Sequence, residues 1–376
     1  MITSHIDNEL NFTDDQFDYE YAVQLTKNVL SVINDSWFRP SFIGFEHFPE
    51  RNNPDHPLIF ASNHSGLAFP WDAVVFLSGL AALNNYDQSK NVRALVSPLL
   101  INTPFLSPFF TTNFWKRGGG IDARFDSFEK MMKQNSSNLI IYPEGVPGIG
   151  KGWNQHYHLQ RFSSSFVRMS LKYKTDIILV HTVNGEYINP YSLSLKPLNK
   201  LVKYLRLPFL PLGPQTLLPI IQPWMFYYGL PAKLTYVLGS RIKLHEQVTT
   251  PYDEISDASI RDLTDEIQRI AQTELKEAVA NYGKNPYDFY DLRKAIKQNK
   301  KIFPFNLPFA WALLFSRFER HYGKKTDTPV ENGCRSAWRE IWANPFLITY
   351  FIPVVGWIPI IVRNLVEKWR MDKRCN

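Results

Sequence analysis

Short apolar runs of strand length recur along this chain, with stretches of helical periodicity between several of them. Residues 58–61, 92–96, 139–142, 177–183 and 234–238 are four to seven residues long and rich in Val, Ile, Leu and aromatics. Runs that short, closed by Gly, Asn or Pro, suit buried strands better than helices. Helical patterns cover 125–133 and 162–173, and Asp72 opens a further apolar stretch, 73–83, with the side chain of a good N-cap. Two amphipathic helices frame the series. In one, Ala22, Leu25, Val29 and Val32 share a face; in the other, Ile260, Leu263, Ile267, Ile270, Leu275 and Val279 do. Strands alternating with helices predict an α/β layer architecture.

The ends of the chain differ in charge. The first twenty residues are acidic and polar, whereas basic residues gather after Lys196 and again from Arg293. The net charge of +7 and pI near 9.1 suit an anionic partner. No helix-turn-helix, zinc-finger or RNP pattern accompanies that charge, so nucleic acid is not expected. The two cysteines, Cys334 and Cys375, make no disulfide framework, and no basic region followed by an apolar run marks a secretory signal. A reducing, cytoplasm-facing location is the default expectation. Three apolar stretches resist a purely soluble reading. Residues 207–232 carry no charge but contain six prolines, 341–362 are uncharged but hold Pro345, Pro353 and Pro359, and 302–316 are too short to span a bilayer. Either they are core or they touch a membrane without crossing it as one regular helix.

Three constellations can carry chemistry. The first runs from Asn63-His64-Ser65-Gly66 to Pro70-Trp71-Asp72, leaving a strand end and entering a helix. In a helix, eight residues would separate His64 from Asp72 by about 12 Å along the axis. Gly66 and Pro70 favour a loop that can return the carboxylate to the imidazole. Such contact fixes one ring nitrogen and leaves the other as a base. Spacing alone also allows Asp72 to be only an N-cap and His64 only a loop histidine. The second is Tyr142-Pro143-Glu144-Gly145 through Gly150-Lys151-Gly152, whose glycines admit a ligand close to backbone N–H groups. It matches most of a P-loop, but Gly152 stands where Ser or Thr must hold magnesium, and Pro147 removes a donor. The third, Gly118-Gly119-Gly120 to Arg124, delivers an arginine to a helix start, where phosphate is favoured, or where Arg124 simply pairs with a neighbouring aspartate. His156 and His158 alternate as on a strand edge, and two ligands do not make a metal site. No G-x-S-x-G elbow supports a serine hydrolase.

The order of these motifs resembles blocks one to three of the lysophospholipid and glycerolipid acyltransferase superfamily, with residues 177–186 similar to the fourth block. The lead-in Phe38-Arg39-Pro40 to Gly44-Phe45-Glu46 and Pro49 resembles its diacylglycerol-acyltransferase-like branch, and the likeness covers roughly residues 30 to 285. It implies a mixed sheet flanked by helices, with an N-terminal helix and an apolar, membrane-associated C-terminal region on the cytoplasmic face. The parts expected are an N-terminal lead-in (1–45), a catalytic domain (46–285) and a basic, apolar C-terminal region (286–376). It further implies His64 as general base, Asp72 as its partner, and Arg124, Glu144, Gly145 and Lys151 around the acceptor. No metal or cofactor is implied; acyl-CoA or acyl carrier protein would be the donor substrate. The acceptor would be lysophosphatidate or another lysophospholipid, or a mono- or diacylglycerol, and the partner surface an anionic membrane. Two departures stand out. Seven residues lie between His64 and Asp72 where four are usual, a feature similar to that branch, and Pro147 takes the place of a phosphate-contacting arginine. An esterase or thioesterase using the same pair, or a catalytically silent lipid-binding protein, are the alternatives.

Overall fold

A computed structural model of the protein describes residues 16–65, 69–195, 211–323 and 333–375. The acidic residues before position 16 and the start of the proline-rich 207–232 stretch lie outside them. Seven strands form one sheet: β1 (Ser41–Ile43), β2 (Ile59–Ser62), β3 (Val92–Val96), β4 (Ile121–Asp122), β5 (Asn138–Ile141), β6 (Ile177–Val183) and β9 (Thr235–Ile242). A small antiparallel ribbon joins β7 (Leu193–Ser194) to β8 (Pro211–Leu212). The order across the main sheet is β1-β9-β6-β2-β5-β3-β4, parallel throughout except where β6 meets β9. The fold is thus a mixed α/β sheet flanked by helices, in line with the sequence.

The strands that read as unbroken apolar runs are the ones covered on both faces, as a parallel sheet requires. Every residue of β2, β5 and β6 is buried. Alternation sends Phe60, Ile140, Ile178 and Val180 into one core and Ile59, Ala61, Leu139, Ile177 and Leu179 into the other. Helices Phe125–Met132, Ser165–Tyr173 and Asp257–Tyr282 cover the second face. Helix Trp71–Leu83 and a helical run over residues 19–38, which has π turns at Thr26–Leu30 and Asn34–Phe38, cover the first.

The C-terminal region packs on that first face as well. Trp311, Leu314 and Phe315 of helix Trp311–Tyr322, together with Tyr350, join the core that contains Trp71. Part of the apolar content beyond residue 302 is therefore ordinary core. Among the described residues, no helix is long and apolar enough to cross a membrane. The prolines noted in the sequence divide residues 341–362 among the end of helix Cys334–Ala343, a 3-10 segment at Pro345–Phe351 and the start of helix Trp357–Cys375.

The topology places a crevice at the C-terminal ends of the central strands. From β2 the chain runs to β3 on one side, and from β5 it crosses to β6 on the other. Such a reversal of direction opens a site beyond the strand ends in α/β sheets.

Candidate active site

The first constellation assembles in that crevice. Beyond β2, the Asn63 side chain clasps the backbone of Thr182 in β6, accepting from its N–H at 2.7 Å and donating to its C=O at 3.0 Å. This two-point grip fixes where the chain leaves the sheet. The loop returns at Phe69, and the next helix begins at Trp71 with Pro70 in the cap position. Asp72 therefore sits one residue inside the helix rather than capping it, which frees its carboxylate to face back along the loop.

His64 Nδ1 lies 2.7 Å from Asp72 Oδ2, and the same oxygen accepts the Ser65 N–H at 2.9 Å. Asp72 Oδ1 accepts the Ala73 N–H, and Tyr236 in β9 donates its hydroxyl to the Asp72 carbonyl at 2.7 Å. The Asp72 side chain is wholly buried and that of His64 is 13% exposed. A carboxylate held by backbone donors on both oxygens, with no solvent to turn toward, binds the imidazole in one orientation. With Nδ1 on Asp72, Nε2 is the nitrogen that does not face the carboxylate. The Tyr142 ring packs against the imidazole, centroids 4.4 Å apart, and closes one face of it. Burial, reinforced by the Asp72 charge, pushes the Tyr142 hydroxyl well above its ordinary range, so it stays neutral.

The second constellation buttresses the first. Glu144 Oε1 accepts the His64 N–H at 3.0 Å and Oε2 accepts the Gln160 N–H at 2.6 Å. Gly145 follows with φ of +57°, a left-handed conformation that a side chain would strain. Gly148 packs so closely that an added Cβ would lie 2.5 Å from Glu144 Cβ. Lys151 reaches Glu144 at 3.7 Å and Glu186 at 3.3 Å, with all three side chains almost fully enclosed. Burial pushes the Glu144 carboxyl up against the pull of Lys151. For Lys151, burial acts downward, but Glu186 and Glu144 outweigh it and the ammonium is held above its usual range. Lys151 is thereby committed to two carboxylates and does not reach the cavity wall.

Replacing Lys151 with methionine should leave two buried carboxylates unpaired. We expect a loss of about 3–5 kcal/mol of stability, read from denaturant unfolding. A change below about 1 kcal/mol would mean that solvent, not Lys151, balances these charges.

A cavity of about 1120 Å³ opens on His64. Its wall is chiefly apolar: Leu25 and Leu30, Val74, Leu77 and Ala81 of helix Trp71–Leu83, and Ala94 of β3. Tyr142, Pro143, Gly145, Phe125 and Arg124 also belong to it. Arg124 caps helix Phe125–Met132, is 70% exposed and pairs with Asp122 at 3.0 Å. The structure thus brings His64, Asp72, Glu144, Gly145 and Lys151 together and sets Arg124 apart, at the edge of the cavity. His156 and His158 lie on no strand; His156 stacks on Trp153 beyond a 3-10 turn. Among the described residues, no group of three or more His, Cys, Asp or Glu is placed to hold a metal. Asn63 belongs to the first motif, but its role and those of Gln160 and Tyr236 are not legible in the sequence because their partners lie 119, 16 and 164 residues away.

No family model matches the chain. It is 25% identical over 232 residues to an uncharacterized protein of Mycobacterium leprae, covering 60% of each chain. It is also 25% identical over 220 residues to uncharacterized proteins of Mycobacterium bovis and Mycobacterium tuberculosis, covering 57% of this chain and 58% of theirs. The chain thus spans about 60% of the length of the curated relatives it matches. Among solved structures, the 1-acyl-sn-glycerophosphate acyltransferase of Thermotoga maritima aligns at a TM-score of 0.37 and 13% identity, over 69% of this chain and 80% of that one.

Proposed function

We propose that this chain is an acyltransferase that moves a long acyl group from a thioester to a lipid hydroxyl. One observation carries the reading: a histidine oriented by a buried carboxylate, with its second nitrogen free, stands in the wall of a large apolar cavity. The motif order in the sequence agrees with it. His64 Nε2 removes the acceptor's hydroxyl proton as the oxygen attacks the thioester carbonyl. Collapse of the tetrahedral adduct breaks the C–S bond, and the proton on His64 passes to the leaving thiolate. Asp72 holds the imidazole in the required tautomer and balances the imidazolium that forms between these steps. Glu144 and Lys151 act as positioning residues, through the His64 N–H and the charges behind it.

The donor is acyl-CoA or an acylated carrier protein, and the acceptor a lysophospholipid such as lysophosphatidate, or a mono- or diacylglycerol. Arg124 meets the acceptor headgroup in this reading, supported by its exposed position at the cavity edge. If that headgroup is a phosphate, Arg124→Gln should raise KM for lysophosphatidate on the order of tenfold and leave neutral acceptors nearly unchanged. Equal effects on both classes would make the acceptor neutral or Arg124 structural.

The cavity itself supplies the direct test. Ala81 lies nine residues beyond Asp72 on one helix, about 13 Å along its axis. Ala81→Phe should fill that end, cutting turnover of the longest acyl donors on the order of tenfold while sparing short ones. A uniform loss across chain lengths would remove the cavity from the acyl site.

A further inference from the structure

Helix Trp357–Cys375 is mounted with its apolar side outward. Toward the protein it turns Trp357 and Ile360 in its first turn, and then three polar residues. Asn364 Oδ1 accepts the Phe105 N–H at 3.0 Å, and the Arg363 guanidinium lies over the Phe346 and Phe110 rings at 4.5 and 4.8 Å. Glu367 in turn holds Arg363 at 2.7 Å. On the opposite side, Ile358, Ile361, Val362, Leu365, Val366 and Trp369 are each between 41% and 62% exposed. A surface helix in water buries its apolar stripe and exposes its polar one. Beyond the first turn the order here is reversed, and the docked polar contacts hold the rotation.

The outward stripe continues onto a second element. The Val354 N–H donates to the Ile221 carbonyl at 2.8 Å and Trp357 Nε1 to the Pro219 carbonyl at 2.7 Å. These bonds join the helix to Pro214–Ile221, whose Leu217, Ile220 and Ile221 are all more than half exposed. Pro219, Ile220 and Trp357 also form part of the cavity wall. The cavity that holds His64 therefore reaches the same apolar face.

We infer that this face docks on an anionic bilayer, and that acyl chains pass between bilayer and cavity beside Pro219, Ile220 and Trp357. The passage rests on the reading of the cavity as an acyl site; the docking does not. Charge selects the occupant. At 100° per residue, Lys368 lies about 20° beyond the Ile361 edge of the apolar stripe and Lys373 close to its opposite, Val366, edge. Lys373 Nζ sits 4.1 Å from the Trp369 ring centroid. Ammonium groups flanking an apolar stripe that carries a tryptophan can rise to lipid phosphates while the stripe enters the acyl boundary. A second copy of the chain on this face would bring these lysines toward their own counterparts, like charge against like in a chain whose net charge is already +7.

The test uses the full chain, because Trp311 and Tyr350 belong to the core. Flotation with vesicles of phosphatidylcholine and phosphatidylglycerol is compared for wild type, for Ile361→Glu/Leu365→Glu/Trp369→Glu, and for Lys368→Glu/Lys373→Glu. Thermal unfolding verifies that each variant is folded. Wild type should bind, less so as salt rises, and the apolar-face variant should bind on the order of tenfold or more weakly with an unchanged Tm. The lysine variant should lose affinity for the mixed vesicles and change little on phosphatidylcholine alone. The inference is overturned if wild type fails to float, or if the folded apolar-face variant binds as well as wild type. It is equally overturned if, without lipid, wild type is a dimer that this variant turns into monomers. Flotation needs no turnover, so a chain that binds but transfers nothing would sink the enzymatic reading and leave the docking face standing.

Discussion

Alanine at position 64 should lower acyl transfer by about 10²- to 10⁴-fold, the usual worth of a positioned general base. Folding should change far less. The imidazole is partly exposed, and its contacts are the Tyr142 ring and one oxygen of Asp72. That oxygen keeps the Ser65 N–H and the other keeps Ala73, so the buried carboxylate retains two donors when the histidine is gone. We expect a stability cost of about 1–2 kcal/mol. Purified variant and wild type compared for initial rate and for denaturant midpoint separate the two effects. Near-wild-type turnover from a folded His64→Ala enzyme would remove the base assignment and favour a lipid-binding role.

Asp72→Asn is expected to be nearly as damaging, for a different reason. The amide oxygen can still accept the Ala73 N–H, but the amide N–H₂ would then be presented to His64 Nδ1 and would leave the Ser65 N–H without its acceptor. An imidazole that accepts at Nδ1 must carry its proton on Nε2, the nitrogen that has to act as base. Activity should fall by roughly 10²-fold or more while stability falls by about 1–3 kcal/mol, the cost of the Ser65 N–H losing its acceptor. A residue serving the helix alone would show the opposite split, with activity intact. The rate profile against pH adds a check, because a wrong tautomer lowers the plateau and does not merely shift the limb.

Most of the scaffold was legible in the sequence because burial on two faces leaves a plain signature. The runs at 92–96 and 177–183 are strands within those bounds, and 139–142 and 234–238 differ by a few residues at their ends. Strand direction was not legible. Within the seven-stranded sheet only β6 and β9 run antiparallel, and their pairing is set by a crossing of more than fifty residues. The His64–Asp72 contact was accessible as a possibility from Gly66 and Pro70, which argued for a loop. What decided it was the helix capped at Pro70 instead of Asp72, a two-residue shift that brings the Asp72 carboxylate to the imidazole. The role of Lys151 could not be read locally, since Glu186 comes from the far end of β6. The orientation of helix Trp357–Cys375 was hidden for the same reason. The sequence marks only an uncharged stretch at 341–362 there, and which side of the helix faces the protein depends on Phe105, Phe110 and Phe346.

The central claim is that the acyl group leaves a thioester for a lipid hydroxyl through His64. Its most direct test follows the label from acyl-CoA with the acyl group marked, in the presence of lysophosphatidate, another lysophospholipid, a monoacylglycerol or a diacylglycerol, and with water alone. The account predicts labelled acyl ester on at least one lipid acceptor, release of free thiol in equal amount, little free fatty acid without acceptor, and loss of all of it in His64→Ala. Label appearing as free fatty acid at the same rate with or without acceptor would make the chain a thioesterase and contradict the claim.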